Sequence, residues 1–134
     1  MTTSEQSTIL VVEDEQALQE ALKLKLEKAG VRILTASTGE DALETLKNET
    51  PTLVSLDILL PNKNGLEVLQ ILRSNPNTTS LPVVIVSVSW SIEKVKRAFS
   101  LNVVDYLVKS EYTIDEIVEK LKDLADNIRQ KHAK

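Results

Sequence analysis

Five short runs of aliphatic, mostly β-branched residues punctuate the chain: Ile9-Leu10-Val11-Val12, Val31-Arg32-Ile33-Leu34, Leu53 to Leu56, Val83-Val84-Ile85-Val86 and Val103 to Val108. Each is followed by a stretch in which apolar residues recur every three or four positions, the spacing of a helix with one buried face. Gln16 to Ala29 carries Leu18, Leu22 and Ala29 on one stripe and stops at Gly30, a residue suited to a helix C-terminus. Glu40 to Lys47 uses Ala42, Leu43 and Leu46, with Thr38 as the predicted N-cap. The third helix follows Gly65, turns Leu66, Leu69 and Leu72 inward, and ends at Asn75-Pro76-Asn77. Ile92 to Leu101 forms the fourth, with Ile92, Val95 and Phe99 facing the core and Asn102 supplying a left-handed stop. The fifth starts from Thr113 and keeps Ile114, Ile117, Val118, Leu121, Ala125 and Ile128 on one stripe.

Strict alternation of five strands and five helices predicts an α/β fold with a parallel sheet and helices on both faces. The strands are almost continuously apolar, which suits burial on both sides. For five strands the common doubly wound, flavodoxin-like order is 2-1-3-4-5. The ligand crevice then lies at the carboxyl ends of strands one and three, where the order reverses. The expected layout is a disordered segment over residues 1–7, one domain over 8–130 and a polar tail over 131–134.

Composition narrows the chemistry. The 134 residues suffice for one core, and 42% are hydrophobic and 27% charged. No cysteine is present, which removes thiolate catalysis and thiolate metal sites and fits a reducing compartment. The single histidine, His132, lies near the end of the chain, so zinc sites and histidine acid–base chemistry are disfavoured. A net charge of −4 without a basic cluster argues against direct nucleic-acid binding. No apolar stretch approaches the ~20 residues of a membrane helix, and residues 1–7 lack a signal-peptide core. A cytoplasmic location is expected.

The apolar runs end in chemistry. Strand one runs into Glu13-Asp14, strand three into Asp57, strand four into Ser87 and strand five into Lys109. In the order 2-1-3-4-5 these ends are neighbours. Strand two ends in Thr35-Ala36 and is the strand left outside the cluster. Three crowded carboxylates repel one another unless cations are present. Lys109 supplies one positive charge and a hard divalent ion two more. An all-oxygen ligand set selects Mg²⁺ or Mn²⁺. Such a site suits phosphoryl transfer with a carboxylate as nucleophile.

These residues, in this order, resemble the receiver domain of bacterial two-component response regulators. The matching stretches are the acidic pair after Ile9 to Val12, Asp57-Ile58-Leu59-Leu60-Pro61-Asn62-Lys63-Asn64-Gly65, the strand Pro82 to Ser87, and Asp105-Tyr106-Leu107-Val108-Lys109. They cover about residues 8 to 130. The resemblance implies that Asp57 takes a phosphoryl group from a histidine kinase, a phosphotransfer protein or a small phosphodonor. It implies that Asp14 binds Mg²⁺ directly, Glu13 through water, and that Asp57 and the Leu59 carbonyl complete the protein ligands. Lys109 would pair with Asp57 and then with the phosphoryl group. Ser87 and Tyr106 would be the switch pair, and helix four, strand five and helix five the output surface. The expected partners are a kinase and a downstream protein target, with phosphorylation-dependent dimerisation as one form of contact. The chain would not be an enzyme beyond its own Mg-dependent phosphorylation and dephosphorylation.

Three positions depart from the family pattern. Lys109 is followed by Ser110 rather than proline, so either the bond is trans and the loop is rebuilt, or a cis bond is held by other contacts. Val88 stands after the switch serine, where a smaller residue is usual, and is expected to narrow the approach to Asp57. Glu13 replaces a commoner aspartate. Few polar residues follow helix five, which fits a stand-alone receiver. The other function class is an interaction module on the same fold that is not phosphorylated. A flavodoxin is disfavoured because Glu13-Asp14-Glu15-Gln16 is the wrong phosphate loop. An aspartate-based phosphatase is disfavoured because no second aspartate lies two residues beyond Asp57.

Overall fold

The computed structural model describes residues 6–132, with the backbone alone at His132. Expectations for residues 1–5, the His132 side chain and residues 133–134 lie outside the described residues. The elements alternate as predicted: β1 (Thr8–Val12), α1 (Gln16–Lys28), β2 (Arg32–Ala36), α2 (Gly39–Thr45), β3 (Leu53–Leu56), α3 (Gly65–Ser74), β4 (Val83–Ser87), α4 (Ile92–Ser100), β5 (Asp105–Val108) and α5 (Ile114–His132). The sheet is parallel throughout, in the order β2-β1-β3-β4-β5.

Side chains alternate across the sheet, so each central strand feeds two cores. Leu10, Val12, Val54, Leu56, Val83 and Ile85 meet Ala42 of α2, Val68, Leu69 and Leu72 of α3 and Ala98 of α4. Ile9, Val11, Leu53, Val84, Val86 and Leu107 meet Leu22 and Leu26 of α1 and Ile117, Leu121 and Ala125 of α5. This two-sided burial is why the strands read as unbroken apolar runs.

The helix starts are chemically explicit. Thr38 accepts from the Asp41 N–H and Ser91 from the Lys94 N–H. Asn64 with Glu67, and Thr113 with Glu116, form reciprocal capping pairs. Gly30 and Asn102 adopt the positive φ expected of helix stops, at 88° and 61°.

Several expectations are corrected. On α1 the buried residues are Gln19, Leu22 and Leu26, while Ala29 is exposed. On α4 only Ala98 is buried, and Ile92 and Phe99 are exposed. The small Ala98 makes the close approach to the sheet. The ridge of Ile92, Val95 and Phe99 is therefore turned about 100°, one residue's rotation, away from it. None of the four aromatics is fully buried, though Tyr106 and Tyr112 pack partly against the two cores. Ser7 is not part of a disordered segment: it is buried, and its hydroxyl donates to Asp126 Oδ1 at 2.9 Å. Nor does a tail begin at 131, since α5 continues to His132.

Asp126 ties α5 to the start of β1. Lys122 Nζ lies 2.5 Å from Oδ2 and Arg129 Nη2 3.7 Å from Oδ1. Partial burial alone would raise its pKa, but the Lys122 and Ser7 hydrogen bonds and the two cations hold it below the ordinary 3.8. A depressed carboxylate stabilises the fold above its unfolded pKa and loses that contribution as pH falls through the folded value. Asp126→Asn is therefore expected to cost about 1 kcal/mol in urea denaturation at pH 7. The difference from wild type should close on acidification below pH 3.8.

Candidate functional site

The sheet order brings four strand ends to one rim. Val12 pairs with Leu56, and the Asp57 N–H donates to the Val12 carbonyl at 3.1 Å, so Glu13 and Asp57 emerge side by side. Ser87 pairs with Val108, which places Lys109 one step beyond that serine.

Lys109 is the centre of the cluster. Its Nζ donates to Asp57 Oδ2 at 2.9 Å and to Glu13 Oε1 at 2.5 Å. The Lys109–Ser110 bond is trans, and the chain turns through a short 3-10 segment, Lys109–Glu111. This is the rebuilt form of the loop, and it leaves the ammonium within reach of both acids. Asp57 Oδ1 accepts from the Leu59 N–H at 3.0 Å. Glu13 Oε2 accepts from the Glu15 N–H at 3.1 Å. Both oxygens of each buried acid are thus engaged. Asp14 is exposed beside them, and carboxylate oxygens of Glu13, Asp14 and Asp57 lie within 4.8 Å of one another.

Charge follows from this arrangement. Burial, helped by the negative charge of Asp57, pushes the Glu13 carboxyl above its usual range against the opposing pull of Lys109 and the Glu15 N–H. Burial pulls Lys109 down, but hydrogen bonds and attraction to Glu13 and Asp57 outweigh it and hold the ammonium above its ordinary value. Three acids against one lysine leave two negative charges uncompensated, which a divalent cation matches. An all-carboxylate donor set at this spacing fits a hard cation. The residues present therefore fit Mg²⁺ or Mn²⁺.

On the β4 side, Ser87 is fully buried and its Oγ accepts from the Ser89 N–H at 3.1 Å. That contact leaves the hydroxyl proton to be donated elsewhere. Tyr106 is half-buried and its Oη donates to the Ser89 carbonyl at 2.6 Å. Burial, then the Asp57 charge, raises its pKa. Lys94 donates to the Ser89 hydroxyl. Ser89 therefore touches Ser87, Tyr106 and Lys94 at once, a junction its sequence context did not single out. Val88 and Trp90, its neighbours, are exposed. Leu59 is half-exposed, its side chain outside the packed core.

Sequence reasoning also missed Gln19. It is buried on α1, behind the acidic pair. Its signal was a polar residue three and seven positions before Leu22 and Leu26, on their stripe.

A doubly wound parallel sheet with an acidic, lysine-bridged rim defines a class of small α/β signalling and nucleotide-type folds with ligand sites at the strand ends. Within that class the match is specific: residues 9–122 match the response regulator receiver domain, and the chain belongs to that family. It is 36% identical over 118 residues to the probable transcriptional regulatory protein TcrX of Mycobacterium tuberculosis, covering 87% of this chain and 49% of TcrX. The chain thus spans about half the length of that relative. Among solved structures it is similar to the phosphorylated cyanobacterial phytochrome response regulator RcpA. The TM-score is 0.77 at 26% identity, over 89% of this chain and 91% of RcpA. It is also similar to the Mn²⁺-bound form of the response regulator Rcp1, with a TM-score of 0.70 at 28% identity over 92% and 90% of the two chains. Among the described residues no helix is long and apolar enough to cross a membrane.

Proposed function

We propose that the chain is a phosphoacceptor switch of a two-component system, with Asp57 as the residue modified. The observation that carries this reading is the Lys109 ammonium bridging Asp57 and Glu13 beside Asp14. An Asp57 carboxylate oxygen attacks the phosphorus of a phosphohistidine or a small acyl phosphate. The bond from phosphorus to the leaving nitrogen or oxygen breaks, its electron pair leaves with that group, and an aspartyl phosphate forms. Bound Mg²⁺ or Mn²⁺ neutralises charge on the phosphoryl oxygens. Asp14 and Asp57, with the Leu59 carbonyl, would hold that ion. The two existing contacts of Glu13 favour an indirect, water-mediated place for it. Lys109 loses its bond to the modified Asp57 oxygen and pairs with a phosphoryl oxygen instead. The Ser87 hydroxyl donates to another. Val88, exposed at this mouth, narrows the path of donor and water.

Leaving the Ser89 N–H, Ser87 disturbs the residue whose carbonyl, in the next peptide along, receives Tyr106. The signal then passes to α4, β5 and α5. The solvent-facing Ile92 and Phe99 on α4 support this choice, since an apolar ridge off the core is suited to a protein partner. Partners in this reading are a histidine kinase or phosphotransfer protein, a downstream protein, and a second copy on phosphorylation. The setting is the cytoplasm, and the only reaction is the chain's own modification and its hydrolysis.

Incubation with Mg²⁺ and acetyl phosphate tests the reading by intact mass. The expected result is a gain of one phosphoryl group, absent without Mg²⁺ and absent in Asp57→Asn. No gain in the wild-type protein would overturn it in favour of an interaction module.

A further inference from the structure

The loop that carries Glu13 and Asp14 has an unusual support. Glu15, at the N-cap of α1, makes no side-chain cap hydrogen bond. The Glu15 N–H is instead taken by Glu13 Oε2, a residue of the site itself. Such a loop needs another anchor if its acids are to hold their direction. Asp14 is exposed, so packing does not fix it; its carboxylate is aimed by the backbone it stands on.

Gln19 supplies that anchor. Its side chain is 8% exposed, and its Nε2 lies 2.8 Å from the Glu13 carbonyl, 3.3 Å from the Ala36 carbonyl and 3.2 Å from Ser37 Oγ. The same Ala36 carbonyl accepts from the Glu13 N–H at 3.0 Å. One buried amide thus joins the end of β1, the end of β2 and the loop into α2. The Glu13 carbonyl belongs to the peptide that leads into Asp14, so holding it fixes the plane from which Asp14 departs.

We propose that Gln19 is a positioning residue of the phosphoryl site: its amide clamps the β1–α1 loop to the end of β2 and so aims Asp14 and Glu13 at the cation-binding rim. The inference rests on the function proposed above. Groups that orient metal ligands without touching the metal are worth about 10–100-fold in affinity. The three acceptors around Nε2 require a donor, and Gln19→Met keeps the length of the side chain while removing it.

The test is a Mg²⁺ titration by calorimetry and by NMR of the full chain, with thermal stability measured in parallel. In the wild-type protein the Gln19 side-chain amide resonance is expected to shift with Mg²⁺ at the same midpoint as the Asp14 backbone amide. Gln19→Met is expected to weaken Mg²⁺ about 10-fold or more. A silent Gln19 amide, or equal affinity in Gln19→Met and wild type, would overturn the inference. If Gln19→Met does not fold, the wild-type amide titration decides alone. Failure of the underlying function is separate, because there the wild-type protein would bind no Mg²⁺ and take no phosphoryl group.

Discussion

Gly65→Ala is expected to destabilise the fold by about 3 kcal/mol, the upper end of the overpacking range. An added Cβ would lie 2.2 Å from the Asp57 carbonyl oxygen and 2.8 Å from the Ile58 Cα. Both are backbone atoms at the start of the loop that follows Asp57, the proposed phosphoacceptor, so neither swings aside as a side chain would. Gly65 also donates its N–H to the Ile58 carbonyl at 2.8 Å, which holds α3 against that loop. The requirement is for space and not for a left-handed backbone. Relief must come from moving Asp57, so phosphorylation by acetyl phosphate should slow as well. Gly39 gives the contrast: its added Cβ would meet the Val68 Cγ2 at 2.6 Å, a side-chain tip that can rotate. Guanidinium denaturation of both variants checks the account. Gly65→Ala as stable as wild type would mean the approach of α3 to Asp57 is not tight.

Lys109→Met is expected to cost about 2–4 kcal/mol at pH 7, below the full value for a wholly buried pair because the rim opens to solvent at Asp14. The substitution strands two acids whose side chains are 4% and 5% exposed. Their sign of response to pH follows. In the wild-type protein Glu13 already holds a pKa above its ordinary 4.5. Without Lys109 the folded form binds a proton more readily than the unfolded form, so stability should rise as pH falls from neutrality toward that ordinary value. Mg²⁺ should restore part of the loss at pH 7. Stability curves in urea across pH, with and without Mg²⁺, measure both effects. A variant whose stability is insensitive to pH and Mg²⁺ would show that Lys109 does not compensate these acids.

Much of this was legible in the sequence, for physical reasons that can be named. Strands buried on both faces leave continuous apolar runs, so β1, β3 and β4 announced themselves. A carboxylate, hydroxyl or amine closing such a run breaks the pattern, and Asp57, Ser87 and Lys109 were found that way. The strand order then converted distant positions into neighbours. What stayed hidden depended on rotation and register. Phe99 fits a helical stripe, but spacing cannot say which ridge of α4 meets the sheet, and Ala98 took that place. Ala29 fits the α1 stripe by spacing, and nothing in a lone apolar residue distinguishes a core position from an exposed helix end. Gln19 was passed over since its value lies in three acceptors from separate segments. Glu13 was read as a charge beside a metal. Its bond to Lys109 joins residues 96 positions apart and needs the folded sheet to appear.

The central claim is that one aspartate at this rim accepts the phosphoryl group. Borohydride reduction of the protein after treatment with Mg²⁺ and acetyl phosphate addresses it directly, because an aspartyl phosphate is reduced to homoserine while a free carboxylate is not. Peptide mass spectrometry is predicted to find homoserine at position 57 and aspartate retained at positions 14 and 105. Homoserine at another position, or at none, would contradict the account.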